Sequence, residues 1–318
     1  MTIYEKGLSD VITSTNKQYL YAYKTVSVNH LPELQADIDE LEKSNKISSN
    51  EVFRSYISSF RYEIPNDFPT AKSLIIMAVF TPPMSLKFHF QDKIHQTMLP
   101  GNYSFTGISN DTLEEEVLNI IIRKQGYSVK RTRTIHLKLL AVRSGLGKYG
   151  RNNICYAGEM GSFVNLIAFF TDYEFEEDNW GTIEMMEYCK SCQKCISECP
   201  GQAISKSENF VIDIERCIPL YNEIPGEIPE WIPSSAHNSL MGCMICQKIC
   251  PGNKKAMSLI IQGGDIMEEE TSVVLECNLE KAKKLDLKQK IPIYFFNPEI
   301  TLAGLDLLKR NLELILTQ

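Results

Sequence analysis

The 318-residue sequence lacks any apolar run long enough to cross a lipid bilayer. Its longest apolar stretches, residues 74–80 and 163–170, are less than half of the roughly 20 residues that a membrane-spanning helix needs. The N-terminus also lacks the apolar core of a secretion signal and a twin-arginine motif. These absences predict a cytoplasmic protein with no membrane partner.

An excess of positive charge is missing as well. The formal net charge is -7 at pH 7, so nucleic-acid binding would need a local basic patch. The sequence contains no internal repeat and no low-complexity segment. Its length and its 43% hydrophobic content suffice for a packed core and suggest about two domains.

Cysteine, in contrast, is abundant, with ten residues in the chain. Thiols stay reduced in the cytoplasm, so this number favours metal binding over a disulfide framework. The run from Cys189 to Pro200 has the spacing C-x2-C-x2-C-x3-C-P, which is typical of bacterial ferredoxins. Three thiolates at this spacing on a curled loop each reach one iron of a 4Fe-4S cubane, while the fourth begins a helix that leads to another cluster. Pro200 suits that turn because it sets φ for a helix start.

A second run completes the ligand set, with Cys217 followed by C-x2-C-x3-C-P from Cys243 to Pro251. The crossed ferredoxin arrangement then predicts two 4Fe-4S clusters. The ligands of the first are Cys189, Cys192, Cys195 and Cys250, and those of the second are Cys217, Cys243, Cys246 and Cys199. Zinc ribbons also use C-x2-C pairs, but two zinc sites need neither the third cysteine nor a proline after both terminal cysteines. Cys155 and Cys277 follow no ligand spacing and are interpreted as buried small apolar residues.

Hydrophobic periodicity predicts a mixture of helices and strands. Residues 1–70 are predicted to be mainly helical, including an amphipathic helix at 31–42. Further helices are predicted from Thr112 to a stop at Gly126, at 136–144, and through a polar tail from residue 257 that closes with 302–316. Strands are predicted at 73–79, 127–134 and 163–170, whereas residues 84–109 have no clear pattern.

The segment Gly145-Leu-Gly-Lys-Tyr-Gly150 matches the dinucleotide fingerprint G-x-G-x-x-G literally. That fingerprint must follow a strand and open a helix, so that the pyrophosphate meets the helix N-terminus. Here the glycines follow the predicted helix at 136–144, which disfavours dinucleotide binding. A glycine loop that lets the backbone approach a flat cofactor stays open.

Several segments together resemble one family: residues 68–79, 141–152 with the sequence GLGKYGRN, 161–172, the cysteine pattern with Arg216-Cys217-Ile218, and 307–312. They are similar to the epoxyqueuosine reductases, cobalamin-dependent iron–sulfur enzymes related in architecture to reductive dehalogenases. The resemblance implies an α+β protein in three parts. These are a nitroreductase-like α/β, cobalamin-binding domain at 1–183, a ferredoxin-like double-cluster domain at 184–256, and a helical C-terminal extension at 257–318 that packs on the first domain.

The resemblance also implies which residues hold the cofactor. These are Arg143, Gly145, Leu146, Gly147, Gly150, Asn152 and Ser162. The sequence has no D-x-H-x-x-G segment that would supply a histidine to cobalt, which agrees with base-off cobalamin. A ferredoxin or flavodoxin is the expected external electron donor.

One departure from the family concerns catalysis. Counting back from Gly145, the family's catalytic aspartate falls at Arg131, and a guanidinium group does not act as a general acid. Arg131 is therefore a candidate for binding an anionic substrate or stabilising negative charge, although the run Lys130, Arg131, Arg133, His136 and Lys138 is also typical of a solvated face. Tyr127 and Tyr149 are candidate proton donors.

Two functions follow as hypotheses. The first is reductive chemistry on a substrate other than epoxyqueuosine, driven by electrons that pass through the clusters to cobalamin; tRNA is a disfavoured partner, because longer members carry additional helical repeats. The alternative is an electron-transfer or corrinoid-handling protein without a substrate of its own. A flavin in place of cobalamin is a weaker third hypothesis, since no flavin phosphate site is marked.

Overall fold

The computed structural model describes residues 10–14, 17–104, 110–207 and 211–318, with side chains described from residue 20 onward and outside 105–112. The strands are β1 Asp10–Ser14, β2 Lys17–Ser27, β3 Ser73–Phe80, β4 Met84–Phe90, β5 Lys93–Leu99, β6 Val129–Thr132, β7 Lys148–Tyr149, β8 Cys155–Tyr156, β9 Val164–Thr171 and β10 Ile261–Ile266. The α-helices are α1 Leu31–Lys43, α2 Glu51–Ser58, α3 Gly101–Ser104, α4 Asn110–Val117, α5 Leu137–Arg143, α6 Lys194–Ser197, α7 Pro219–Asn222, α8 Ile245–Lys248, α9 Glu268–Leu275, α10 Leu279–Lys284, α11 Leu287–Lys290 and α12 Leu302–Leu316. The chain divides into two units, one of Met1–Phe80 with Gly107–Lys190 and one of Thr81–Thr106 with Ser191–Gln318.

The first unit is built on an antiparallel sheet with the strand order β1-β2-β3-β9-β6. Strand β3 is central, and all its residues are buried because they are apolar or small on both faces. It pairs with β9 from Ser73 opposite Thr171 to Phe80 opposite Val164. Helix α5 packs on β3 and β9. The strands predicted at 73–79 and 163–170 are therefore confirmed, as is the helix at 136–144.

The prediction of mainly helical structure over residues 1–70 was wrong for β2. This strand alternates Tyr19, Tyr21 and Tyr23 with smaller or polar residues and ends in the β-branched pair Thr25–Val26, which suits a pleated sheet. It pairs with β3 along its length from Tyr21 to Ser27. Residues 1–9 and 15–16 lie outside the described residues. The amphipathic helix predicted at 31–42 is confirmed as α1.

The helix predicted from Thr112 to Gly126 is corrected at both ends. It begins at Asn110, and after Val117 it continues as a π-helical turn over Leu118–Ile122. The backbone leaves the helix at Arg123, which has a left-handed conformation with φ 56°, three residues before Gly126. The proposed capping side chain of Thr112 lies outside the residues whose side chains are described.

The second unit contains a three-stranded sheet in the order β10-β4-β5, with β10 parallel to β4 and β5 antiparallel to it. Its apolar residues form one core with the C-terminal helices α9 to α12. The β4–β5 hairpin lies within 84–109, the segment without a clear pattern. Strand β10, from Ile261 to Ile266, lies near the start of the tail that was predicted to be helical. Gly263 and Gly264 disfavour a helix there.

The two units have other bounds than the three predicted segments, and the domain assignment of those segments stays a prediction. The C-terminal segment from residue 257 packs on β4 and β5, which the prediction had included in residues 1–183. These strands group with the cluster-bearing segment and the tail in the second unit. Among the described residues, no helix has both the length and the apolar content needed to span a membrane.

Candidate iron–sulfur centre and cofactor loop

The cysteines of the two ferredoxin-type runs are carried by short helices and their flanking loops. Cys195 lies in α6 and Cys246 in α8, and these two helices pack against each other. Cys250 precedes a 3-10 turn that starts at Pro251. The helix predicted to begin at Cys199–Pro200 is not found, because Pro200 and Gly201 lie in a turn that the Gln202 N–H closes on the Cys199 carbonyl at 3.0 Å. Within the described part of the chain, the ten cysteines form no disulfide with one another.

Contacts within the second unit bring together ligands predicted for the second cluster. Arg216 directly precedes Cys217, and its Nε donates to the carbonyl of Gly201, two residues after Cys199, at 3.0 Å. The approach is so close that a Cβ on Gly201 would overlap the Arg216 carbonyl. Burial raises the pKa of the Cys243 thiol, and the charge of the nearby Cys199 thiolate raises it further.

Within the described residues, N–H groups are directed at the sulfurs of three predicted ligands, which is an arrangement that stabilises negative charge on a thiolate. The backbone N–H of Ala203 donates to Cys199 Sγ at 3.3 Å, and the Asn238 side-chain amide donates to Cys243 Sγ at 3.2 Å. In the first unit the backbone N–H of Arg151 donates to Cys189 Sγ at 3.4 Å.

Within the described residues, no three His, Cys, Asp or Glu side chains are gathered closely enough to hold a single metal ion.

A largely buried carboxyl lies next to the loop that leads into Cys243. Glu223 accepts a hydrogen bond from the Tyr103 hydroxyl, and both side chains stand against Gly242. Asn222 clamps the same glycine, accepting from its N–H at 3.0 Å and donating to its carbonyl at 2.6 Å. Burial raises the pKa of Glu223 from 4.5 to about 7, against the opposing effect of the Tyr103 hydrogen bond.

This shift predicts a pH dependence of stability. Below pH 4.5 Glu223 is protonated in both states, and between pH 4.5 and about 7 only the folded protein retains the proton. The free energy of unfolding should therefore fall by about 3 kcal/mol as the pH rises through that window. Glu223→Gln should remove this component in anaerobic thermal unfolding at pH 5 and pH 8, whereas Glu227→Gln, at an exposed carboxylate, should keep it. An unchanged pH profile in Glu223→Gln would contradict the assignment.

The glycine loop follows α5, as predicted, and its glycines have local structural roles. Gly145 has a φ of +70° directly after the helix, a conformation that favours glycine. A Cβ on Gly147 would overlap Cys155 Sγ and reach the Tyr156 carbonyl at 3.0 Å, and a Cβ on Gly150 would overlap the Asn152 and Tyr156 side chains. The loop thus needs these glycines to pack on its own β7–β8 hairpin. Gly145 and Gly147 also line a cleft of about 420 Å³ together with Asn179 and Trp180.

The other residues that the resemblance assigns to the cofactor lie in or near this loop. Leu146, Asn152 and Ser162 are buried. The Asn152 amide donates to the Tyr156 hydroxyl at 3.0 Å, while its Oδ1, also buried, has no partner within the described part of the chain. Asn152 therefore offers a buried acceptor.

Arg143 is held by protein groups. Its guanidinium forms a two-point ion pair with Asp37 of α1, in which Nε donates to Oδ2 at 2.7 Å and Nη2 donates to Oδ1. Nη1 donates to the Gly181 carbonyl at 3.0 Å, and the group lies 5.5 Å from the ring centre of Trp180. These contacts give Arg143 a structural role, and its role toward a cofactor stays a prediction.

The pair predicts a difference between two arginine substitutions. The side chains of Arg143 and Asp37 are 19% and 17% exposed, so Arg143→Met leaves a largely buried carboxylate without its partner. We expect a loss of about 3 kcal/mol in the free energy of unfolding. Arg54→Met breaks a pair with Glu42 whose side chains are 41% and 54% exposed, and should cost less than about 1 kcal/mol. Equal losses in urea unfolding would contradict this role.

The basic run from Lys130 to Lys138 is not a uniform solvated face. Lys130 pairs with Asp67, and Lys138 donates to Asn153 Oδ1 at 2.9 Å. His136 caps α5, where its Nδ1 accepts from the Leu139 N–H at 3.1 Å. Burial, with the charge of Lys138, lowers the pKa of His136 to about 3, so it is neutral.

Arg131 lies in β6 opposite Phe169 of β9, and its side chain is about half buried. Its backbone N–H donates to Glu114 Oε1 at 2.9 Å. Burial, and then the charge of Arg133, lowers the pKa of its guanidinium. Of the two tyrosines predicted as proton donors, Tyr127 is exposed and Tyr149 is buried, and burial raises the pKa of Tyr149.

Arg151, which no sequence motif marked as functional, connects the glycine loop to Cys189, a predicted ligand of the first cluster. Besides the backbone contact to Cys189 Sγ, the Arg151 guanidinium donates to the Cys189 carbonyl at 2.8 Å. Residues 184–186 run beside Tyr149, with the Tyr149 N–H donating to the Glu184 carbonyl at 2.8 Å and the Met186 N–H donating to the Tyr149 carbonyl at 2.8 Å. The position of Arg151 directly after Gly150, within the segment GLGKYGRN, was its only sequence signal.

Comparison with known proteins agrees with the cysteine analysis. Residues 188–253 match the family described as the 4Fe-4S double cluster binding domain. This match confirms the prediction of two 4Fe-4S clusters. The chain is therefore an iron–sulfur protein with a double-cluster domain.

More specifically, the chain is similar to epoxyqueuosine reductases, which confirms the resemblance seen in its motifs. Identity is 35% over 127 residues with that of Atelocyanobacterium thalassa, covering 39% of each chain. It is 32% over 117 residues with that of Bacillus subtilis, covering 37% of this chain and 29% of the relative. The chain thus spans well under half the length of these two relatives. The match to the Staphylococcus aureus enzyme covers 84% of this chain and 69% of the relative at 24% identity.

Solved structures of epoxyqueuosine reductase share the mixed helix and sheet fold. That from Streptococcus thermophilus has a TM-score of 0.62 at 18% identity, covering 93% of this chain and 76% of that chain. A structure bound to an epoxyqueuosine-modified tRNA-Tyr stem loop has a TM-score of 0.61 at 19% identity and the same coverage. At this level of identity, the comparison establishes the fold.

Proposed function

We propose that this protein is a cytoplasmic iron–sulfur oxidoreductase that passes single electrons through its two 4Fe-4S clusters to a base-off cobalamin beside the glycine loop. The carrying observation is the pair of contacts from Arg151 to Cys189, because they join the cofactor loop to a cluster ligand in one folded unit. In this proposal the first unit is the nitroreductase-like cofactor module. The ligand cysteines from Cys192 to Cys250 form the ferredoxin-like module.

The chemistry of the loop fits a corrinoid. A corrin ring carries amide side chains, and Asn152 Oδ1 is a buried acceptor that could receive one of their N–H groups. When bound, the corrinoid would supply the low-potential reductive chemistry. Arg151 would hold the loop against Cys189, and the neutral His136 is already engaged at Nδ1, which is consistent with a cobalt without a histidine ligand.

We further propose that the substrate differs from epoxyqueuosine and is anionic. The half-buried guanidinium of Arg131 stands where the resemblance places a catalytic aspartate, and such a group suits anion binding better than proton donation. A relative binds a tRNA stem loop, so the modified stem loop is the reference substrate in the test.

A second candidate function is electron transfer or corrinoid handling without a substrate. The observation that favours it is the arginine at position 131. A general acid is needed only to protonate a substrate, so a protein without a substrate can lack the catalytic aspartate. The two functions share the cofactors and differ in turnover.

The test uses the full chain purified without oxygen. Its visible spectrum is recorded before and after addition of cobalamin, and then after addition of a one-electron reductant. Failure to bind corrinoid while cluster absorption is intact would overturn the proposal. Corrinoid reduction without turnover of anionic candidates would favour the second function, and efficient turnover of the modified stem loop would overturn the proposed change of substrate.

A variant pair tests the contact of the Arg151 guanidinium with the Cys189 carbonyl, while the backbone contact to Cys189 Sγ is retained. Arg151→Met should slow corrinoid reduction by the clusters while leaving the iron content unchanged. Arg54→Met removes an exposed arginine in the same unit and should behave as the parent protein. Equal reduction rates in both variants would contradict the role of Arg151.

A further inference from the structure

Asn238 makes a side-chain hydrogen bond to a cluster ligand that no sequence motif predicted. It lies five residues before Cys243, in the loop that leads to α8. Its Nδ2 donates to Cys243 Sγ at 3.2 Å and to the Ala236 carbonyl at 2.9 Å. Its Oδ1 accepts from the backbone N–H of Met244 at 2.9 Å.

The neighbours determine the orientation of this amide. The Met244 N–H is a donor and must face the oxygen, whereas the Ala236 carbonyl is an acceptor and must face the nitrogen. Exchanging the two atoms would place N–H against N–H and oxygen against oxygen. The side chain therefore presents an N–H to Cys243 Sγ.

We propose that Asn238 raises the reduction potential of the cluster held by Cys199, Cys217, Cys243 and Cys246. Reduction adds one electron from an external one-electron donor and makes the thiolates more negative, with no bond broken and no proton transferred. An N–H···S hydrogen bond stabilises the more negative state, so it favours the reduced cluster. The inference rests on the double-cluster assignment and does not depend on the proposed corrinoid.

The hydrogen bond from Asn238 comes from a side chain, so a substitution can remove it. The N–H of Ala203 that faces Cys199 Sγ belongs to the backbone and is present with any residue but proline. The Asn238 amide is partly buried and held by two backbone partners, so its position is set before reduction. A preorganised donor needs little rearrangement when the charge changes.

The test is a redox titration of the full chain with both clusters, monitored by electron paramagnetic resonance under anaerobic conditions with dithionite as reductant. Asn238→Asp is nearly isosteric, keeps an acceptor for Met244 and replaces the donor with an anionic oxygen. Asn238→Ala removes the donor without adding charge. We expect both substitutions to shift one cluster to a more negative potential, with the larger shift in Asn238→Asp, and to leave the other cluster unchanged.

Control measurements distinguish the effect of losing the hydrogen bond from the effects of added charge and of misfolding. Asn297→Asp adds the same charge at an exposed asparagine of the second unit and should leave both potentials as in the parent. Iron content should match the parent in all variants, and the iron–thiolate stretching frequencies in resonance Raman spectra should change only in the two Asn238 variants. Parent-like potentials in Asn238→Ala at full iron content would overturn the proposal, as would a shift confined to Asn238→Asp. Corrinoid binding is not needed for any of these measurements, so failure here is distinct from failure of the proposed function.

Discussion

Replacing Cys192 with alanine is expected to remove about half of the protein-bound iron and sulfide, because it deletes one of four ligands of one cubane. The second cluster should persist, since its ligands Cys199, Cys217, Cys243 and Cys246 are unaffected. Iron and sulfide analysis of anaerobically purified protein, with electron paramagnetic resonance of the reduced form, measures the change. This is the largest effect that we predict, because it removes a complete redox centre.

The matched control is Cys277→Ala. This cysteine lies outside both motifs, at the end of α9, with its Sγ 3.8 Å from Asp306 Oδ1. It should retain the full iron content. Retention of both clusters in Cys192→Ala, or loss of a cluster in Cys277→Ala, would show that the ligand assignment is wrong.

Gly147→Ala is expected to weaken corrinoid binding at least tenfold while leaving cluster absorption intact. The added Cβ would overlap Cys155 Sγ and lie 3.0 Å from the Tyr156 carbonyl, so the loop must move away from the β7–β8 hairpin. Overpacking of this kind costs about 1–3 kcal/mol, and part of that cost falls on the loop that presents Asn152. Spectral titration with cobalamin measures the affinity.

Gly264→Ala is the control for the same chemical change. Nothing lies within 4 Å of a Cβ built on Gly264, so the substitution should leave affinity and folding unchanged. Parent-like corrinoid affinity in Gly147→Ala would mean that the glycine loop does not present the cofactor site. The outcome thus tests whether these glycines serve the cofactor as well as their own hairpin.

The parts of the site that depend on residues close together in the sequence were predictable. The cysteine runs identify the clusters because a cubane imposes short, fixed separations on its ligands. The Arg143–Asp37 pair was not predictable, since its members are 106 positions apart and no local pattern connects them. The same holds for Arg151 and Cys189, which are separated by 38 positions.

The fold shows the same division. Strands β3 and β9 and helix α5 were predicted correctly because each has a continuous apolar or helical pattern that suits its buried position. The β4–β5 hairpin was missed because its turn residues, Gln91 and Asp92, adopt positive φ without the glycine that usually marks such a turn. Strand β10 was missed because its pairing partner, β4, lies more than 170 positions earlier.

By itself, the sequence determined the two clusters and the main strands and helix of the first unit, since these depend on neighbours along the chain, and it predicts which cysteines are the ligands. Only the tertiary structure decided that the hairpin at 84–99 belongs with the C-terminal helices and that Arg143 pairs with Asp37. It also decided that Arg151 and Asn238 donate to the predicted cluster ligands Cys189 and Cys243. These contacts depend on which distant segments pack together, and packing is set by the shape and burial of the whole chain.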